Sequence, residues 1–140
     1  MKVKIKKSDP MDLLGAWKVK EKCRKDDGML RQDFITFSTD FSLNHSFVAK
    51  KEDKIVGFII FRDTGYISIF GVHPDYREQG IGEKLVEKPK QKYNKLWCHV
   101  RETNQDAIEF YKAVGFKEAR RVSSYYLNGD NAKIMVYEEN

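Results

Sequence analysis

The amino-acid sequence predicts one α/β domain of the α+β kind, a mainly antiparallel sheet flanked by helices, and three observations lead there. Residues 46–72 hold runs rich in β-branched and aromatic side chains, separated by the polar turns Lys51-Glu52-Asp53-Lys54 and Asp63-Thr64-Gly65, as in an antiparallel meander. An apolar run at residues 70–72 then leads through a two-glycine turn into a helical pattern. Residues 116–126 and 132–137 read as a closing strand pair across Asn128-Gly129-Asp130-Asn131. At 140 residues the chain has the length of a single domain, 1–140, with enough for a core without disulfides or metal.

Taken in order, Lys2-Val3-Lys4-Ile5-Lys6 alternates with period two and predicts an edge strand guarded by lysines. Ser8 or Asp9 caps a helix starting at Pro10 or Met11, with Leu13, Leu14, Trp17 and the stem of Lys20 on one face. Asp26-Asp27-Gly28 ends it. Residues 29–44, with Leu30, Phe34, Ile35, Phe37 and Phe41, support a second helix only loosely and are either plain core or the wall of a pocket. Strands follow at 46–50, 55–62 and 66–72, where Gly71 marks a bulge or a close backbone approach. Ile81, Leu85 and Val86 begin a helix that Pro89 is expected to end or kink near Lys88, since an interior proline costs about 3 kcal/mol. After a strand at 96–101, Thr103 or Asn104 caps a helix with the apolar face Ala107, Ile108, Phe110, Tyr111 and Val114, and Gly115 ends it.

Charged residues at 34% and hydrophobic ones at 41% describe an ordinary globular protein, and apolar runs such as 56–61 are far too short for a bilayer. No leader pattern is visible, so a cytoplasmic protein without membrane attachment is the expectation. Cys23 and Cys98 match no paired redox or metal spacing and read as reduced thiols. The net charge of +5 is spread along the chain with acids interleaved after the first lysines, which fits solvated faces or attraction of a small polyanion. No nucleic-acid motif is present and no nucleic-acid partner is expected. Neither His73 nor His45 has partners at metal-ligand spacing, so no metal is expected.

The turn Arg77-Glu78-Gln79-Gly80-Ile81-Gly82 precedes a helix start, where first-turn N–H groups lack partners and favour an anion. Two close glycines alone serve a tight turn equally well. The longer stretch from Val72-His73-Pro74-Asp75-Tyr76 through Gly82 resembles the acetyl-CoA signature of the GNAT superfamily of N-acetyltransferases, written Arg/Gln-x-x-Gly-x-Gly/Ala. Asn104-Gln105-Asp106-Ala107-Ile108-Glu109-Phe110-Tyr111 followed by Val114-Gly115-Phe116 is similar to the family's Asn, Tyr and Gly-Phe pattern. The likeness covers residues 46–137 well and the first 45 poorly. It implies a mixed, mainly antiparallel central sheet and an enzyme, an acyltransferase using acetyl-CoA.

What the resemblance implies for single residues agrees with the physics. N–H groups from Gln79 to Gly82 would cradle a pyrophosphate, with Gly80 and Gly82 admitting it closely and Ile81 between them. Arg77 adds charge or braces the loop, Glu78 belongs to the same turn, and Glu83 is expected to turn away. Phe70, Gly71 and Val72 take the place of the strand that pairs with the pantetheine arm, and the Val72 N–H is a candidate oxyanion donor. Asn104 belongs to the cofactor side. Tyr111 matches the family's general acid, or is a core aromatic. Where protein N-terminal acetyltransferases of the ribosomal-protein alanine type often carry a glutamate before Val-Arg, Trp97-Cys98-His99-Val100-Arg101 has His99, a general base or a structural imidazole. Tyr125 and Tyr126, in a segment similar to that subgroup's ending, would line the acceptor site. The acceptor that the resemblance implies is a primary amine, in first place the α-amino group of a protein or peptide N-terminus. A small amine such as a polyamine is the alternative, and a non-catalytic acyl-CoA-binding module is another. The oligomeric state, a homodimer included, stays open.

Overall fold

Lysine-flanked Val3 and Ile5 turn toward the core in β1 (Val3–Lys7), which pairs antiparallel with β2 (His45–Lys51). The structure, a computed structural model, describes residues 2–27 and 32–139. β2 is followed by β3 (Lys54–Phe61) and β4 (Ile67–Val72), and the sheet runs β1-β2-β3-β4, antiparallel throughout. The meander is therefore present, with β1 added at its free edge. A second sheet has the order β5-β7-β6, from β5 (Lys95–Arg101), β6 (Lys117–Val122) and β7 (Ala132–Glu138). Only a parallel bridge, Tyr66 to Trp97, is formed between β4 and β5, so the sheets meet at one end and part at the other.

Helices cover both faces. Asp9 caps a 3-10 turn, Pro10–Asp12, that leads into α1 (Leu13–Asp27). Leu13, Trp17 and Lys20 of the expected face pack toward the core, joined by Ala16, Val19 and Cys23, while Leu14 is 60% exposed. Just before the helix the buried Asp12 carboxylate pairs with Lys6 at 3.0 Å and Lys50 at 3.3 Å. The expected stop at Gly28, and Leu30, lie outside the described residues. α2 (Phe34–Leu43) buries Phe37 and Phe41 with α1 against Phe58, and leaves Ile35 and Leu43 exposed. Part of the ambiguous segment is thus helix and core.

On the opposite face lie α3 (Ile81–Lys92) and α4 (Gln105–Ala113). α3 does not end near Lys88. Pro89 is buried on the same stripe as Ile81, Leu85 and Val86, and the Tyr93 N–H bonds the Pro89 carbonyl at 2.9 Å. One missing donor is offset by core packing, since burying such a side chain contributes about 1.5–3 kcal/mol. Gly71 carries no bulge, for the β3–β4 register shifts at Ile60/Phe61 instead. A Cβ on Gly71 would meet the Phe58 ring at 3.1 Å and Cys23 Sγ at 3.2 Å, so close packing explains the glycine. β6 is shorter than the expected 116–126, and Tyr125 and Tyr126 lie in the connection to β7. No described helix is long and apolar enough to cross a membrane.

Candidate active site

Where β4 and β5 part, a cavity of about 780 Å³ opens between the sheets, of a size that suits a small-molecule ligand. Its first wall is the edge of β4. The His73 N–H bonds the Val56 carbonyl at 2.8 Å, flanking the Gly57–Val72 pair. In an antiparallel ladder that makes Val72, and by alternation Phe70, a pair whose own peptide groups point away from β3. They face the gap, where β5 offers them no ladder. The Val72 carbonyl already accepts from Arg77 Nε at 3.1 Å and Cys23 Sγ at 3.4 Å, so an extended amide chain laid along this edge would partner the Val72 N–H and the Phe70 peptide groups.

The second wall is the loop into α3. Gly80 is the N-cap, left-handed at φ 78°, with no side-chain cap bond and nothing within 4 Å of where a Cβ would stand. Gly80, Ile81, Gly82 and Glu83 all line the cavity, so the first turn of α3 borders it, a position that suits an anion. Glu78 is also left-handed, at φ 62°. Gly82 serves packing: a Cβ there would lie 3.0 Å from the Phe110 ring and 3.1 Å from Phe70. Arg77 braces the loop, its Nε donating to the Val72 carbonyl at 3.1 Å and Nη2 lying 3.5 Å from Cys23 Sγ. Phe70, Gly71, Val72, Arg77, Glu78, Gly80, Ile81 and Gly82 all line the cavity, as does the exposed Glu83. Gln79 does not line it and lies 3.5 Å from Lys51 Nζ instead.

α4 supplies the third wall. Asn104 caps it by accepting the Ala107 N–H at 3.1 Å, which fixes the helix so that Tyr111 points inward. Tyr111 is buried, lines the cavity and packs on Phe116 with centroids 5.0 Å apart. Burial, together with the neighbouring Cys98 thiol, holds its phenol well above the ordinary 10. Burial likewise pushes Cys98 up to about 12. Both groups keep their protons at neutral pH.

The other face of β5 is aromatic. His99 Nδ1 is 3.0 Å from the Tyr66 hydroxyl, and the imidazole stacks on Tyr125 at 4.2 Å with 9° between planes. Trp97 lies 4.5 Å from Tyr66, Tyr126 meets Tyr125 edge-on at 5.0 Å, and Arg101 sits 4.0 Å over the Tyr126 ring. His99 and Tyr126 line the cavity, whereas Tyr125 does not and is 44% exposed. Burial first and the positive charge of Arg120 second lower the His99 pKa below 6.5, so the ring is neutral and able to accept a proton. Tyr66 is the residue sequence reasoning missed. It stands 33 positions before its partner, and only the Tyr66–Trp97 bridge brings the two together.

The family of acetyltransferase (GNAT) domains matches residues 42–118. An N-alpha-acetyltransferase of Sulfurisphaera tokodaii is 31% identical over 110 residues, covering 64% of this chain and 66% of that protein. The ribosomal protein bS18-alanine N-acetyltransferase of Escherichia coli is 32% identical over 93 residues, covering 61% and 63%. Matched stretches thus span about two thirds of these relatives' length. The crystal structure of the ribosomal-protein-S18-alanine N-acetyltransferase from Escherichia coli superposes with a TM-score of 0.81 at 25% identity, covering 98% of this chain and 94% of that one. Ard1 from Thermoplasma volcanium has the same fold, with a TM-score of 0.85 at 20% identity, covering 100% and 99%.

Proposed function

The chain belongs to the GNAT acetyltransferase family, and from that membership we propose that it moves the acetyl group of acetyl-CoA to a primary amine, the α-amino group of a protein or peptide. One observation carries this: the outward peptide groups of β4, the uncapped N-terminus of α3, Tyr111 and His99 all border one cavity. The residues fit the ligand's parts. Val72 and Phe70 offer backbone partners to its amide arm, and the Gly80 opening admits a pyrophosphate to the α3 N–H groups. One relative is named an N-alpha-acetyltransferase and another a ribosomal protein bS18-alanine N-acetyltransferase, which supports the acceptor class.

Bound acetyl-CoA supplies an activated acyl thioester. His99 takes a proton from the acceptor ammonium, so that the freed nitrogen lone pair can bond to the acyl carbon. The Val72 N–H, aimed into the gap, donates to the acyl oxygen as charge gathers there. Tyr111 would give its proton to the sulfur as it leaves with the electron pair of the C–S bond, and would recover one from the nitrogen, which sheds its second proton as the amide forms. Tyr66 holds the imidazole through Nδ1, leaving Nε2 for the acceptor. Transfer is direct, within a ternary complex.

Screening N-terminal peptides and small amines for acetyl-CoA-dependent thiol release tests the reading. Turnover of peptides is the expected result. Release with polyamines alone would replace the acceptor class, and coenzyme binding with no turnover of any amine would leave only an acyl-CoA-binding module, the reading that the histidine in place of a glutamate favours.

A further inference from the structure

Beyond the cavity, the face of the second sheet that carries His99 continues across β7 to β6. His99 pairs in register with Ile134, and Ile134 with Arg120, so the three form one row on one face. Adjacent strands lie about 4.8 Å apart, which puts Arg120 about 10 Å from His99 at the Cα level, close enough for its side chain to lean toward the ring. The influence of Arg120 on the imidazole agrees with that placement. Along this face Ala132 and Ile134 are buried, Trp97, Val122 and Val136 are half-buried, and Lys117 and Arg120 are exposed.

Charges around the row are mostly neutralised. Arg101 pairs with Asp130 at 2.7 Å, Arg121 with Glu102 at 2.5 Å, Lys133 with Glu118 at 2.8 Å and Lys95 with Glu138 at 4.0 Å. Arg120 and Lys117 have no acidic partner among the described residues. An apolar, half-open strip leading away from the proposed base thus ends at two uncompensated cations.

We propose that this strip receives the acceptor chain beyond its reacting residue and that Arg120 selects acceptors with an aspartate or glutamate at the second to fourth position. This rests on the acceptor class proposed above. An extended chain advances about 3.3 Å per residue, so one leaving His99 along the row meets the guanidinium within about three residues. A carboxylate there gains a charge-assisted bond, whereas a lysine meets like charge.

The experiment uses peptides of one sequence with Glu, Gln or Lys at positions two and three, plus a small amine, against the full chain and its Arg120→Ala and Arg120→Glu variants. kcat/KM is read from thiol release at a pH above the histidine's titration. The unmodified chain should favour Glu over Gln by about threefold and over Lys by about tenfold. Arg120→Ala should level the series and Arg120→Glu reverse it, each read as a ratio between peptides so that a change in His99 common to all acceptors cancels. Equal use of all three peptides by the unmodified chain, or an unchanged preference in Arg120→Glu, overturns the assignment while leaving peptide acetylation standing. Turnover of the small amine alone defeats the acceptor class and this selectivity together.

Discussion

The two faces of β5 receive residues from one alternating run and do opposite things with them. On one face Leu96, Cys98 and Val100 are buried against the α3 and α4 core, with Tyr111 close by. On the other, Trp97, His99 and Arg101 are half-buried among tyrosines. Burial acts on both and keeps both neutral, yet neutrality means a held proton for a phenol and an open lone pair for an imidazole. β5 thereby stands between a protonated phenol held by α4 and a neutral imidazole of its own, the two bordering one cavity and proposed above as acid and base.

If that division of labour is right, Tyr111→Phe should have the largest effect, lowering kcat about a hundredfold or more with acetyl-CoA affinity held within about twofold, as measured by thiol release and calorimetry. Unchanged kcat would reduce Tyr111 to a core aromatic. His99→Ala should lower kcat about a hundredfold from the other face, and the loss should persist with a saturating acceptor. Tyr66→Phe, which removes only the bond to Nδ1, should cost about tenfold in kcat with little change in the acetyl-CoA KM.

A pH profile probes the base face by itself. The folded pKa of His99 lies below 6.5, so the rate should be flat above that value and fall as the ring protonates at lower pH. Stability follows the same sign: the unfolded chain binds the proton more readily, so this residue's contribution is present above pH 6.5 and diminishes as pH falls from there through the folded pKa. A rate falling from above pH 7 would contradict the lowered pKa. Smallest and most local is the pair of loop glycines. Gly82→Ala should cost about 1–2 kcal/mol in denaturant melts, because the Phe70 and Phe110 rings must give way. Gly80→Ala should cost about 1 kcal/mol from its left-handed backbone alone.

Much of this was legible in the chain because it is local. The meander announced itself through β-branched runs and polar turns, and the Asn104 cap, Tyr111 and Gly115 through helical spacing within a dozen residues. What escaped depends on partners distant in sequence. Asp12 is buried before α1 with Lys6 and, from distant β2, Lys50 as its partners. Pro89 is tolerated because its ring joins a buried stripe, and α3 outlasts the expected stop. Tyr66 gains its proposed role from a bridge between sheets, and Gln79 and Tyr125 fall outside the lining although their neighbours line it; of the two readings of Arg77, bracing has its bond, to the Val72 carbonyl. Periodicity identifies which residues share a face; it does not say what stands opposite.

The unpaired edge of β4 has a kinetic signature. Its amides alternate between ladder and gap, so with no ligand bound Gly71 and His73 should exchange their protons slowly and Phe70 and Val72 quickly, tooth by tooth along one strand. Acetyl-CoA lying in the gap would slow the fast pair and leave the slow pair as it was. The strand would then carry a readable record of occupancy, available without any acceptor and before any chemistry.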